Sequence, residues 1–147
     1  MLWLYLLLAA LAGAFMPVQA GINSQLARWM SHPVQAAFVS FAVGTLALFA
    51  YCVALRQPVP SLGHLGATPW WVWTGGLLGA FFVTAATILV PRIGATMLLS
   101  ASIAGQMGVS LLLDHYGLIG LPERPVSAWR VVGVVLVVAG VLVIRRF

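Results

Sequence analysis

Charged residues are scarce in this sequence. They make up 6% of its 147 residues, about a quarter of the share in an ordinary soluble domain, whereas the set AVILMFWYC makes up 63%. A chain of this length buries only about two-thirds of its surface when it folds in water, so it could not hide this much apolar side chain. The composition therefore argues against a soluble fold and indicates an integral membrane protein.

Lysine is absent, the seven basic residues are all arginine, and the only acids are Asp114 and Glu123. Because the arginines are spread along the chain, no nucleic-acid partner is expected despite the net charge of +5. The single cysteine, Cys52, excludes an intramolecular disulfide and a thiolate metal cluster. No histidine has a second ligand at metal-binding spacing, and nothing places Ser, His and Asp together as a nucleophilic triad. We therefore expect no metal, no cofactor and no enzymatic activity.

Five segments are long and apolar enough to cross a bilayer core of about 30 Å, which takes roughly 20 residues of helix. Prolines and arginines separate these segments, and tryptophans lie near their ends, where an indole favours the headgroup layer. We therefore predict an all-α integral membrane protein in which residues 1–147 form a single five-helix transmembrane domain. The predicted helices cover approximately residues 2–26, 34–55, 70–90, 93–113 and 128–144.

The first apolar segment has a second interpretation, because Val18-Gln19-Ala20 resembles the cleavage site of a signal peptide. A signal peptide carries positive charge before its apolar part, and no lysine or arginine precedes this one. We therefore favour a retained first helix.

The arginines are divided almost evenly between the two sides of the predicted domain. Five spans put the termini on opposite sides, and three arginines against four give almost no bias to the rule that positive loops stay inside. The chain either inserts in both orientations or inserts one way despite this weak bias. The N-terminal side carries Arg56, Arg124 and Arg130, and the other side carries Arg28, Arg92, Arg145 and Arg146.

Polar side chains recur one helical turn apart on two predicted helices. Gln19 and Asn23 share a face of the first helix, and Ser102 and Gln106 share a face of the fourth. Polar groups at membrane depth usually face a cavity or another helix, since lipid would leave them unpaired. We interpret both faces as a cavity lining that binds substrate, the alternative being hydrogen bonds that only join helices. Asp114 lies near one membrane interface and is interpreted as a helix-end residue.

The fifth helix has a different character, because after Arg130 its predicted span contains only apolar residues and the glycines Gly133 and Gly140. Such a helix lines no polar path, so it faces lipid or packs against a partner through its glycines. In the third helix, Gly75 and Gly79 belong to a face of small residues, which predicts close packing between helices.

Short motifs follow one another in order along almost the whole chain. They are Asn23-Ser24-Gln25-Leu26, Pro33, Ser40-Phe41-Ala42-Val43-Gly44-Thr45, Trp70-Trp71-Val72-Trp73-Thr74-Gly75-Gly76, Pro91-Arg92-Ile93-Gly94, Gly105-Gln106 and the closing residues 130–144. Their order and spacing resemble the five-helix YdcZ-type members of the drug/metabolite transporter superfamily. The second half is also similar to the last two helices of the small multidrug resistance transporters, in which the terminal helix mediates dimerisation.

The resemblance implies a transporter of the cytoplasmic (inner) membrane built as an antiparallel homodimer, a ten-helix inverted repeat with the substrate path between its halves. This dual topology agrees with the arginine count, and dimerisation through the last helix points to Gly133 and Gly140. The small multidrug resistance proteins bind cations and protons through a glutamate in the first helix, and Gln19 lies nearest that position. Because glutamine does not titrate, cation/proton antiport is not carried over.

The sequence therefore predicts transport of a small neutral, zwitterionic or anionic metabolite by alternating access in a dimer. The expected partners are a second, oppositely oriented copy, the lipid bilayer and the solute, with the solute bound by Gln19, Asn23, Ser102 and Gln106. Two alternatives stay open. One is a non-transporting small membrane subunit of a larger complex, and the other is a passive channel.

Overall fold

The computed structural model describes residues 2–58 and 68–146, which are helical apart from turns and loops and contain no strand. Five of their helices are long and apolar enough to cross a membrane, which confirms the prediction of an all-α protein with five spans. A short 3-10 turn, Trp70–Trp73, leads into the third, and another, Leu118–Gly120, follows the fourth. The helices are α1 (Leu2–Trp29), α2 (Pro33–Ala54), α3 (Thr74–Ile93), α4 (Ala95–Tyr116) and α5 (Ala128–Arg146).

The ends of the helices follow local backbone chemistry. His32 caps α2, since its Nδ1 accepts from the Val34 amide at 3.3 Å, and Pro33 occupies the first helical turn, where its missing N–H costs nothing. The break between α3 and α4 lies at Gly94, not at Pro91-Arg92 as the sequence suggested. Pro91 lies inside the last turn of α3, and the helix ends where Gly94 adopts φ 77° and ψ 159°.

The chain divides into two compact units, and the first, Met1–Arg92, holds α1, α2 and nearly all of α3. Its α1 packs against α2, and the ring of Phe41 on α2 lies 3.5 Å from the position that a Cβ on Gly79 of α3 would take. The buried residues are mostly small, which lets the helices approach closely. They are Ala20, Asn23 and Ser24 on α1, Ala36 and Ala37 on α2, and Val83, Ala86 and Thr87 on α3.

The second unit, Ile93–Phe147, consists of α4 packed against α5. The connection between them folds back on Asp114, whose backbone carbonyl accepts from the Arg124 amide at 2.7 Å. The Arg130 guanidinium at the start of α5 donates to the Asp114 carboxylate at 3.4 Å. Asp114 therefore joins the end of α4 to the start of α5.

Large apolar side chains are exposed along all five helices. In the most apolar stretches of α1 and α5, no residue is buried within the chain. Lipid or another protein chain must therefore cover these faces. Among the most exposed side chains are tryptophans at helix ends, which suits the headgroup layer. They are Trp3, Trp29, Trp70 and Trp129.

Candidate functional site

The polar face of α1 lies against a narrow space between α1 and α3 in the first unit, which we call the amide crevice. Its volume is about 10 Å³, roughly the space of one water molecule. Both residues predicted on this face, Gln19 and Asn23, line it. The other lining residues are Met16, Ala20, Phe82, Val83 and Ala86.

Asn23 is the most deeply placed polar group of α1. It is 3% exposed, and its side chain makes no hydrogen bond with any residue that the structure describes. An asparagine amide offers two donors and a carbonyl acceptor, and these atoms are not fully enclosed, since no fully buried side-chain nitrogen or oxygen of the described residues lacks a hydrogen bond. The amide of Asn23 is therefore available to a molecule that enters the crevice.

Gln19 also borders a second, wider space between α1 and α2, which we call the hydroxyl cavity. This cavity has a volume of about 220 Å³ and is open at one side. The side chains of Ser40 and Thr45 provide hydroxyl groups, and Gln19 provides an amide that has no hydrogen bond among the described residues. The remaining lining residues are Phe41, Gly44 and Leu48. Gln19 thus lies at the meeting point of two cavities.

A third space lies at the end of the first unit where α1 and α3 end and α2 begins; we call it the arginine cavity. It has a volume of about 280 Å³ and is open to the outside of the unit. Ser24 and Thr87 line its inner part, and the Thr87 hydroxyl donates to the Val83 carbonyl at 2.8 Å. The other lining residues are Ala27, Arg28, Pro33, Ile88, Pro91 and Arg92.

The residues predicted on the fourth helix belong to the second unit. The hydroxyl of half-buried Ser102 donates to the Leu98 carbonyl of its own helix at 2.8 Å. Gln106, one turn further along α4, is exposed and makes no side-chain hydrogen bond within the described ranges. The three cavities above are lined by residues 16–92, so neither Ser102 nor Gln106 borders them. Their part in binding stays a prediction.

Gly133 and Gly140, the predicted dimer contacts, lie on α5 with open space around them. No described atom outside their own helix comes within 4 Å of a Cβ built at either position. The chain itself therefore leaves room there for another helix to approach closely. The dimer interface stays a prediction.

Sequence reasoning missed the arginine cavity, because it used Arg28 and Arg92 only to count charge. The spacing of Gln19 and Asn23 leads along one helical face, and Ser24 lies off that face. One available signal was the absence of any acid before Asp114, which leaves the arginines of the first unit without a counter-ion there.

Comparison with known proteins agrees with the resemblance found in the motifs. The family described as "Putative inner membrane exporter, YdcZ" matches residues 4–143. The chain is 29% identical over 136 residues to the inner membrane protein YdcZ of Escherichia coli (strain K12), an alignment covering 92% of this chain and 91% of that protein. No solved structure matches the chain significantly. Because the family match spans nearly the whole sequence, this chain belongs to the YdcZ family and is a multi-pass protein of the inner membrane.

Proposed function

We propose that this protein transports a small neutral, zwitterionic or anionic metabolite across the inner membrane by alternating access. The observation that carries the proposal is Asn23, a nearly buried amide in a membrane-spanning helix whose side chain has no hydrogen-bond partner among the described residues. Polar groups kept at such depth are costly unless they serve a path or a site. The family's description as an exporter supports transport over a purely structural role.

The chemistry of Gln19 and Asn23 supports this substrate class. Each amide can donate to a carboxylate, phosphate or hydroxyl and can accept from an ammonium or hydroxyl. Neither side chain titrates, so this face of α1 offers no group for proton coupling. The site would select by hydrogen bonding and shape, and neither cations nor protons would be bound through charge.

The widths of the cavities favour alternating access over an open pore. The amide crevice, at about 10 Å³, is too narrow for a metabolite, while the two neighbouring cavities measure about 220 and 280 Å³. In the proposed cycle α1 and α3 therefore move apart when a solute passes Asn23. A crevice that is closed in this way suits a carrier better than a permanently open pore.

The proposal includes a second copy of the chain in the opposite orientation, packed through Gly133 and Gly140 of α5. In an inverted repeat the two copies would contribute equivalent surfaces to one path near the bilayer midplane. Ser102 and Gln106 would complete the binding residues in that assembly. The exposed apolar face of α5 and the open space at its glycines support this arrangement.

Counterflow in proteoliposomes tests the proposal across a panel of neutral, zwitterionic and anionic metabolites. We expect saturable counterflow of at least one panel member. Asn23→Leu should reduce it about tenfold or more, because the polar group of the bound solute that loses the Asn23 amide as its partner costs about 1–3 kcal/mol when left unpaired. Gln25→Leu is the matched control, since Gln25 is exposed two residues further along α1 and lines none of the three cavities. It should transport like the wild type.

Other outcomes would replace the proposal. Folded protein that shows no counterflow with any panel member would argue against a carrier. Conductance without saturation or counterflow would identify a passive channel. A different protein copurifying from native membranes in fixed stoichiometry would favour a non-transporting subunit.

A further inference from the structure

The arginine cavity brings together two cations from different helices. Arg28 lies in the last turn of α1 and Arg92 in the last turn of α3, and both line this space of about 280 Å³. The cavity can therefore hold a group of several atoms between two guanidinium-bearing side chains.

No negative charge of the first unit balances these arginines. The only acids of the sequence are Asp114 and Glu123, both in the second unit, and Asp114 pairs with Arg130. Within residues 2–58 and 68–92, neither Arg28 nor Arg92 has a hydrogen-bond or ion-pair partner. Two like charges beside one cavity repel each other, so an anion between them would lower the electrostatic energy.

The start of α2 adds to the positive potential. Pro33 lines the cavity, and the N-terminal end of a helix carries partial positive charge. The first amides of α2 are already used, because those of Val34 and Gln35 donate to the Nδ1 and the carbonyl oxygen of His32. Direct hydrogen bonds to a ligand must therefore come from the arginines and from side chains inside the cavity.

A neutral donor lies in the inner part of the same cavity. Ser24 is 7% exposed, and its hydroxyl has no partner among the described residues. Thr87 on α3 is also buried, but its hydroxyl already donates a hydrogen bond to the Val83 carbonyl oxygen. A nearly buried hydroxyl without a partner thus lines the same cavity as two exposed guanidinium groups without partners, and this donor set suits an oxyanion.

We propose that the arginine cavity is a binding site for an oxyanion, a phosphate or carboxylate group held by Arg28 and Arg92 with Ser24 as the neutral donor. Arginine suits this role because its planar fork matches the oxygen atoms of both groups. The group belongs either to a free solute or to the headgroup of an anionic phospholipid, since the cavity lies where two membrane-spanning helices end. Binding here does not depend on transport, so it goes beyond the function proposed above.

Thermal unfolding in detergent tests the site with inorganic phosphate as the probe and chloride at equal ionic strength as the reference. Detergent removes any effect of the arginines on membrane orientation. We expect phosphate to stabilise the wild type, and Arg28→Gln or Arg92→Gln to weaken its apparent affinity at least about tenfold, the scale of one charge-assisted hydrogen bond. Arg56→Gln is the matched control, since Arg56 is exposed in the same unit and does not line the cavity.

A second measurement needs no variant and so does not depend on variant folding. Phenylglyoxal modifies arginine side chains, and mass spectrometry of the digested wild-type protein locates each modification. Phosphate should slow the modification of Arg28 and Arg92 several-fold more than chloride does, and should leave the rate at Arg56 unchanged. Equal rates in the two salts at all three positions would overturn the proposal.

Delipidated protein separates the two sources of the oxyanion. If a solute is the ligand, phosphate protects Arg28 and Arg92, and vesicles or micelles containing phosphatidylglycerol add nothing beyond those of phosphatidylcholine. If a lipid is the ligand, phosphatidylglycerol binds the wild type and the Arg56→Gln variant, and phosphate displaces it. It then does not bind the Arg28→Gln or Arg92→Gln variants. Either pattern supports the site, whereas stabilisation by neither probe, or equally in all variants, would contradict it.

Discussion

Two polar side chains of α4, one turn apart, differ in how their hydrogen-bonding groups are used. The Ser102 hydroxyl is bonded to the Leu98 carbonyl of its own helix. Gln106 is exposed in the single chain, and its amide has no bond to any other described side chain or backbone group. Because lipid alone would leave that amide unpaired, Gln106 must meet water, a second chain or a solute.

We expect Gln106→Leu to lower counterflow about tenfold and to leave the melting temperature of the detergent-purified protein nearly unchanged. Leucine removes an amide without leaving a described partner unpaired, while a bound solute would lose a hydrogen bond of about 1.4 kcal/mol. Ser102→Ala, which removes a bond within α4 only, serves as a control for stability. If Gln106→Leu instead costs about 0.6–2 kcal/mol with normal counterflow, Gln106 holds helices together.

For single residues of the site, the spacing of polar residues along one helix was predictable from the sequence. Residues that meet only through packing between helices were not. A spacing of four residues is enough to put Gln19 and Asn23 on one face of α1. Ser24 and Thr87 border one cavity only because α1 and α3 lie side by side, and no periodicity in either segment encodes that approach. The same holds for Arg28 and Arg92, which line one cavity because α1 and α3 both end beside it.

The ends of the helices are set by backbone hydrogen bonding and conformation, and they do not coincide with the ends of the apolar runs. The predicted first, third and fourth spans stop at residues 26, 90 and 113, and the corresponding helices continue to Trp29, Ile93 and Tyr116. An apolar run marks the limit of the lipid core, but backbone hydrogen bonds continue through polar residues such as Arg28 and His115. Five spans were therefore predictable, and the last turns of α1, α3 and α4 were not.

Gly94 illustrates this at the junction of α3 and α4. Its φ of 77° with ψ of 159° is a conformation that is nearly restricted to glycine, and no described atom comes within 4 Å of its Cβ position. We expect Gly94→Ala to lower the free energy of unfolding by about 1–3 kcal/mol through backbone strain alone. Unfolding in detergent by increasing dodecyl sulfate measures this difference.

Gly13→Ala is the matched control for that measurement. Gly13 lies inside α1 with open space at its Cβ position, so alanine should be neutral or should stabilise the helix by up to about 1 kcal/mol. Equal effects of the two substitutions would show that the conformation of Gly94 is not what ends α3.

For the whole molecule, the predicted topology puts three arginines on one side of the membrane and four on the other. We expect a C-terminal reporter to detect both orientations in cells, and two lysines added beside Arg56 to hold that loop in the cytoplasm. Two charges suffice because they exceed the existing difference of one. A single orientation in the unmodified chain would argue against dual topology, and an antiparallel pair would then require a different, oppositely inserted partner.

The proposed dimer contact through α5 can be tested separately from the fold of the single chain. A Cβ built at Gly133 or Gly140 has no described atom outside its own helix within 4 Å, so we expect Gly133→Leu and Gly140→Leu to leave the fold of one chain intact. We expect both variants to insert normally and to lose the crosslinked dimer, because leucine keeps two backbones apart. Unchanged crosslinking would place the interface elsewhere, with the exposed Gly75 on α3 as the next candidate contact.

Substrate-dependent stabilisation is the measurement that bears most directly on the role of the polar face of α1. It compares the thermal unfolding of wild type, Asn23→Leu and Gln25→Leu in detergent, with and without a metabolite that shows counterflow. A ligand that binds only the folded protein at a hundred times its Kd stabilises it by about 2.7 kcal/mol. We predict that this shift appears in the wild type and in Gln25→Leu and disappears in Asn23→Leu. An undiminished shift in Asn23→Leu would show that the substrate binds elsewhere and that the buried amide of α1 is structural.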